Sequence, residues 1–471
     1  LLDYANENYS FFIQDDWKAL PRLTLNLGLR YDVSSVSSEK DGRLQNFDLD
    51  TLTFTPLGQK LHDVDNNNLG PRFGFAFDVF GNQKTVLRGG YGIFYDRDLP
   101  ASFGSPQANT FPTLSVDLFT ALFGCGIFPQ YPVDPAAYAC AVPNAFHIER
   151  DLQTAMAQHW SLNVQHDLGF ATLQVGYVGN HVTHLLTNGV VTPRNINRRD
   201  PVTQVRPLSP NFGDIFAVGD YPQSNYNALQ VTLRRNLAKG LRFNANYTWA
   251  HAIDDVVGFF KDYQDENNAH AERASSDQDV RHNFTMDAGY DLPLRDWFGG
   301  GPNWLVDGWQ LNTITQIRSG LPVNVTRQGG VFGGFSFRPD VVGGVDTRCP
   351  NYSLPECQFN AAAFSNPGDG VFGNAGRNIL RGPGFAQVDF SVFKNTQLTE
   401  SSSLQFRAEI FNLFNKANFA DPSGGLVRGD SNSLRPTAFF GQSISTVGNQ
   451  LGGLLGFGGP RQIQFSLRYL F

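Results

Sequence analysis

The sequence predicts an all-β chain folded as an antiparallel up-and-down transmembrane β-barrel, with short turns at one rim and long loops at the other. Three observations carry that expectation. Apolar residues recur at every second position in segment after segment, and alternate side chains of a strand point to opposite faces. The connections between segments alternate between short and long. Charge gathers on the less apolar face, at Arg30, Arg72, Arg88, Arg234, Arg242, Asp389, Arg407, Glu409 and Arg468. A packed soluble core would have to desolvate that series, at a cost on the order of several kcal/mol per ion. A wet lumen imposes no such cost, and the apolar face then looks out into lipid.

The first strand is NYSFFIQDDW (8–17), followed by RLTLNLGLRYD (22–32) with Leu23, Leu25, Leu27, Leu29 and Tyr31 on one face. GPRFGFAFDVF (70–80) aligns Phe73, Phe75 and Phe77, and turns through GNQK into TVLRGGYGIFYD (85–96). HWSLNVQHDL (159–168) and ATLQVGYVGN (171–180) form the next pair. ALQVTLRRNL (228–237) carries Leu229 and Val231 on its apolar face and turns through AKG into LRFNANYTWA (241–250). RHNFTMDAGYD (281–291) and GWQLNTITQIRS (308–319) come next, then FAQVDFSVFKN (385–395) and LQFRAEIFNLF (404–414), with Phe406 facing lipid. The last is RQIQFSLRYLF (461–471), and the count is thirteen.

Short turns are expected at 18–21, 81–84, 168–170, 238–240 and 396–402, with a medium one at 292–304. The long segments are 33–69, 97–156, 182–224, 252–279, 320–383 and 415–460. They are rich in Pro, Gly, Asn and Asp, as in NPGDG (366–370), and so read as loops. They are too long to be mere connectors, which argues for function at that surface. Trp17, Tyr31, Tyr95, Trp160, Trp249, Trp309 and Tyr469 stand towards strand ends, where interfacial girdles would need them. A soluble propeller or sandwich would be favoured by a fixed internal period, and none is present.

Composition agrees with strands. The 471 residues include 41 Phe against 2 Met, and 48 Gly. A net charge of −7 offers no general attraction to nucleic acid. No apolar run reaches the length of a transmembrane helix, which leaves barrel strands untouched. The opening LLDYANENYSFFIQDDW has no leader pattern and enters mid-pattern, as a processed chain or a fragment would.

Four cysteines form two close pairs, Cys125/Cys140 and Cys349/Cys357. Without CxxC spacing, two local disulfides in an oxidising compartment are the expectation, against four buried free thiols. No catalytic set is found, so neither an enzyme nor a cofactor is expected. The clusters GGVFGGF (329–335) and LGGLLGFGGP (451–460) do not lie between a strand and a helix, as a phosphate cradle would. His181 with His184, and His251 with Asp254 and Asp255, lack a further placed metal ligand. The acidic stretch KDYQDENNAHAERASSDQD (261–279) lacks the ligand order of an EF-hand and is expected to be a solvated loop. The lumen arginines could steer an anionic or polar solute.

Four segments carry a family likeness: NYSFFIQDDWKALPRLTLNLGLRYD (8–32), KTVLRGGYGIFYDRDLP (84–100), YNALQVTLRRNLAKGLRFNANYTWAHAIDD (226–255) and LRGPGFAQVDFSVFKNTQLTESSSLQFRAEIFNLFNKANF (380–419). They closely resemble TonB-dependent outer-membrane receptors, in the subgroup with a carboxypeptidase-regulatory-like domain before the plug. The resemblance implies a barrel of about 22 strands, these thirteen being its C-terminal portion. It further implies import of a large or scarce solute, of the siderophore, glycan or peptide class. The TonB complex would act through the plug and TonB box, an N-terminal part with no counterpart in these residues. Phe465, Leu467, Tyr469 and Phe471 resemble the signal that the barrel-assembly machinery recognises. No substrate-binding residue carries over, since loops in this family follow no motif. A plugless passive porin and a surface-adhesion barrel are the alternatives.

Overall fold

The computed structural model describes residues 4–96, 144–186, 194–198, 200, 203, 205–256, 263–265, 268–328, 337–368, 371–428, 434–447 and 458–471. All thirteen expected segments form strands. They are β1 (Asn8–Leu20), β2 (Leu23–Ser34), β3 (Leu69–Asp78), β4 (Thr85–Tyr95), β5 (Met156–Asp167), β6 (Thr172–Thr183) and β7 (Ser224–Ala238). After them come β8 (Leu241–Asp254), β9 (His282–Asp291), β10 (Trp309–Arg318), β11 (Phe385–Gln397), β12 (Ser403–Phe411) and β13 (Gln462–Leu470). They lie side by side in chain order within one sheet, and every neighbouring pair is antiparallel.

Register fixes the faces, because directly opposed residues share one. Asn26 opposes Gly74, Ala76 opposes Arg88, Thr232 opposes Asn246, and Arg407 opposes Ser466. Followed across the sheet, these pairings put all nine charged residues of the expected lumen series on one face. Leu23, Leu25, Leu27, Phe73, Phe75, Leu229, Val231, Phe406 and Phe465 fall on the other, with the expected girdle aromatics. Arg235 and Lys394 are charges on the apolar face, near its short-turn rim; Asp15 stands there too, on the edge strand.

The polar face is the concave one. A cavity of about 590 Å³ takes Gln14, Arg72, His159, Asn180 and Tyr226 from strands β1, β3, β5, β6 and β7. On a flat sheet β1 and β7 would be six spacings, about 28 Å, apart. Curling brings their polar side chains around one space.

Local chemistry sets the turns. β7 and β8 meet through Lys239 and Gly240, both left-handed at φ 51° and 75°, the form a two-residue hairpin requires. A Cβ on Gly240 would also lie 2.7 Å from the Asp291 carbonyl oxygen. β12 stops before its expected end at 414, because Asn412 leaves the extended region at φ 52°. The medium turn differs from expectation, holding two short helices, α1 (Leu294–Phe298) and α2 (Asn303–Val306).

The buried apolar clusters lie in the long segments, outside the thirteen strands. A soluble β protein would bury its strands instead. Here the strand faces are left to lipid and water. β1 pairs only with β2 and β13 only with β12, so among the described residues both sheet edges are free.

Candidate functional site: the lumen wall and its loop cap

Arginines on the polar face lie over aromatic rings. Arg72 lies 4.4 Å over Phe94, Arg407 4.6 Å over Phe393, and Arg318 5.5 Å over Phe385. All three rings belong to the polar face by register. Such stacking orients a guanidinium while leaving its edge free to donate. Other polar groups are tied laterally: Arg30 Nε donates to Asp32 at 2.8 Å, and Arg242 donates to Asn312 at 3.1 Å. The wall is therefore a row of oriented donors and amides suited to a polar, acceptor-bearing solute. Periodicity found Arg72 and Arg407 but missed Arg318 and all three platforms. The signal was present as apolar residues at polar parity, namely Phe94, Phe385 and Phe393.

Above the wall the long loops pack into a cap. Ala145–Ile148 pairs in parallel with Ile215–Val218, and Arg194–Asn195 adds to that strand. Against this small sheet pack Val36, Leu44, Leu61 and Leu152 in one cluster, and Phe47 in a neighbouring one. Buried asparagines pin it. Asn46 donates to the carbonyls of Leu61 (2.9 Å) and Ile148 (2.7 Å) and accepts from the Ile148 amide at 2.8 Å. Asn197, with no exposed surface, donates to Ser209 and Gly213 carbonyls and accepts from the amides of Leu208 and Ser209. A second core joins Val323, Val325, Phe359 and Phe364 to Leu426 and Phe440, so segments 320–383 and 415–460 pack together.

Among the described residues of the acidic segment, Glu272 and Asp279 are buried in ion pairs rather than solvated. Glu272 is fully buried and accepts from Arg338 at 2.6 Å and from the Gln264 amide at 2.9 Å. Arg377 donates to Asp254, to the Glu272 carbonyl at 2.8 Å, and to Asp277 at 3.4 Å. Arg381 donates to Asp279, which is also buried. Gln264 completes the seam by donating to the Gly373 carbonyl at 3.0 Å. A Cβ at Gly373 would lie 2.2 Å from the Arg338 carbonyl oxygen, so the close approach needs glycine. Three arginines of segment 320–383 thus answer the carboxylates of segment 252–279. Their separation in sequence, from 66 to 123 residues, hid the pairing.

Cys349 and Cys357 are joined as a disulfide, with Cα atoms 5.8 Å apart; Cys125 and Cys140 lie outside the described residues. His181 faces Asn225 at 2.8 Å, His184 faces Asp220 at 2.8 Å, and His251 faces Ser275 at 3.4 Å. No cluster of three or more His, Cys, Asp or Glu ligands occurs among the described residues. Phe465, Leu467 and Tyr469 project from the apolar face of β13, and Phe471 follows at the same parity.

Two carboxylates of the cap are displaced in opposite directions. Burial pushes Glu149 up to about 7, against the pull of Arg194. Beside Glu39, the Arg43 side chain and the amides of Arg43 and Asp41 hold the carboxyl at about 2.

Comparison with known proteins finds similar chains in sequence and in fold. A curated relative, the TonB-dependent transporter Oar of Myxococcus xanthus, is 23% identical over 98% of this chain. The chain spans 42% of that relative's length. Among solved structures, the outer membrane transporter YddB of Escherichia coli aligns over 99% of this chain and 45% of its own, at 10% identity and a TM-score of 0.48. The ferripyoverdine receptor of Pseudomonas aeruginosa aligns over 100% of this chain and 39% of its own, at 11% identity and a TM-score of 0.47. The sequence model of the outer membrane beta barrel domain matches residues 2–464. A thirteen-strand antiparallel ladder with one lipid-compatible face, short turns on one rim and matched along almost its whole length, makes this chain a member of the outer membrane beta barrel domain family.

Proposed function

We propose that this chain is the barrel portion of an outer-membrane TonB-dependent transporter that imports a polar solute of the siderophore, glycan or peptide class. The similarity to Oar along 98% of the chain carries the reading. The geometry adds support: stacked arginines line the wall beneath loops that are packed enough to recognise a solute. Closure of the sheet belongs to the same reading. An antiparallel series of thirteen begins and ends in one direction, so β1 and β13 could meet directly only as a parallel pair. An odd number of further strands restores alternation, and a barrel of about 22 supplies about nine. The plug, and through it the contact with the TonB complex, would belong to the remainder of such a transporter.

The test uses the full parent reading frame in cells with and without TonB. A panel of labelled ferric siderophores, oligosaccharides and peptides is offered, and accumulation is read. TonB-dependent uptake of one class is the expected outcome. Uptake of small solutes regardless of TonB would favour the passive porin, and no uptake with retained surface adhesion the adhesion barrel.

A further inference from the structure

The medium turn between β9 and β10 differs from the short turns in composition and form. Residues 292–308 build α1 and α2, and α1 is closed by Gly299 at φ 68°. Arg295 Nε donates to Asp307 at 3.0 Å, tying the first helix to the end of the second. Val306 is buried, whereas Trp297, Phe298, Trp304 and Leu305 are 60%, 73%, 65% and 49% exposed. Four large apolar side chains in water on a few turns of backbone need a cover.

Two contacts show where the helices sit. Trp309, on the lipid-facing side of β10, donates its indole N–H to the Leu305 carbonyl at 2.7 Å. Lys394, on the same side of β11, lies 5.6 Å over the Trp309 ring and donates to the Asp307 carbonyl. The end of α2 is thus fastened to the outer wall of the barrel, and its apolar surface continues the face that lipid covers. Lys394 fits the position, with its stem along the apolar wall and its ammonium reaching to the rim. The internal pairing of Arg295 with Asp307 leaves apolar contact as the main attraction.

We infer that residues 292–308 form an interfacial anchor whose Trp297, Phe298, Trp304 and Leu305 sit in the leaflet at the short-turn rim, the periplasmic one in outer-membrane barrels, at the boundary of headgroups and acyl chains. Trp and Phe suit that depth because an amphipathic or apolar ring gains from the acyl edge while its backbone stays near water. The anchor would fix the tilt and height of the barrel at β9–β10, which a two-residue hairpin could not do.

The test takes the full-length protein, folded into phosphatidylethanolamine/phosphatidylglycerol vesicles, with a nitroxide at Phe298→Cys. Collision with oxygen, which concentrates in lipid, is compared with collision with a water-soluble nickel chelate. Labels at Leu27→Cys and Ser401→Cys supply the lipid and aqueous references. Oxygen should dominate at 298 as at 27, with the order reversed at 401. Nickel dominance at 298 would overturn the anchor and leave the patch to a periplasmic protein. If Phe298→Cys fails to fold, the Trp304→Phe protein is compared with the parent for quenching by lipids brominated near the headgroup. Quenching of the Trp304 contribution, taken as the parent's fluorescence minus the variant's, supports the anchor, and an unquenched difference overturns it.

Discussion

Glu149 illustrates how a single cap residue can respond to pH. Its amide donates to the Val218 carbonyl at 3.1 Å, and burial makes its neutral form the favoured one. The folded cap therefore keeps a proton that the unfolded segment releases near 4.5 and gives it up only at about 7. The sign follows: this residue leaves the cap most stable below about 4.5, and stability falls as pH rises to about 7. Exchange of the amides in 145–148 and 215–218, corrected for intrinsic rate, should accelerate across that window. Glu149→Gln should remove this part of the dependence and leave that of His147, whose burial favours its neutral ring. On the barrel wall, Phe406 packs against Phe465 with ring centroids 6.2 Å apart on the lipid side, while its neighbour Arg407 faces the lumen. Phe406→Arg should cost about 2–4 kcal/mol near the bilayer midplane. Folding titrations in which Arg407→Ala costs as much would reverse the assignment of faces.

The loop seam is an element whose strength lies in complementarity between distant segments. Arg338→Met leaves the buried Glu272 carboxylate without its ion partner, and breaking such a pair costs about 3–5 kcal/mol. The loss should fall on the cap, read as faster proteolysis and exchange in 264–279 and 338–381, with the strand ladder unaffected. Replacing both partners, as Arg338→Met with Glu272→Leu, should recover much of the protection, because no charge is then stranded. Equal damage in the single and double variants would show that packing, not charge, holds the seam.

Across the whole molecule, the edges of β1 and β13, free among the described residues, decide how the barrel closes. In the full parent protein, cysteines at Ile13 and Phe465 should fail to cross-link if further strands lie between these edges. Efficient cross-linking would mean direct parallel closure. The terminal residue bears on assembly more than on stability. One lipid-exposed Phe contributes about 1.5–3 kcal/mol, small for a sheet of thirteen strands. Removing Phe471 should nevertheless lower surface levels of the full-length protein in cells. Wild-type surface levels would remove Phe471 from the proposed assembly signal.

The sequence by itself determined the ladder, because a two-residue period is a local property. Leu23, Leu25 and Leu27 declare their face without reference to any other strand, and Arg407 declares the opposite one. The alternation of short and long connections followed from turn residues, which are equally local. Only the tertiary structure decided what the long segments do. Asn46 holds Ile148 across 102 residues, and Arg338 meets Glu272 across 66. No period announces such contacts, so the acidic segment looked solvated. The same holds for the helices at 294–306, too short to show a helical stripe and defined by Trp309 and Lys394 from two neighbouring strands. Strands that face lipid and water carry their instructions in their own spacing, whereas loops that bury one another carry theirs in partners far along the chain.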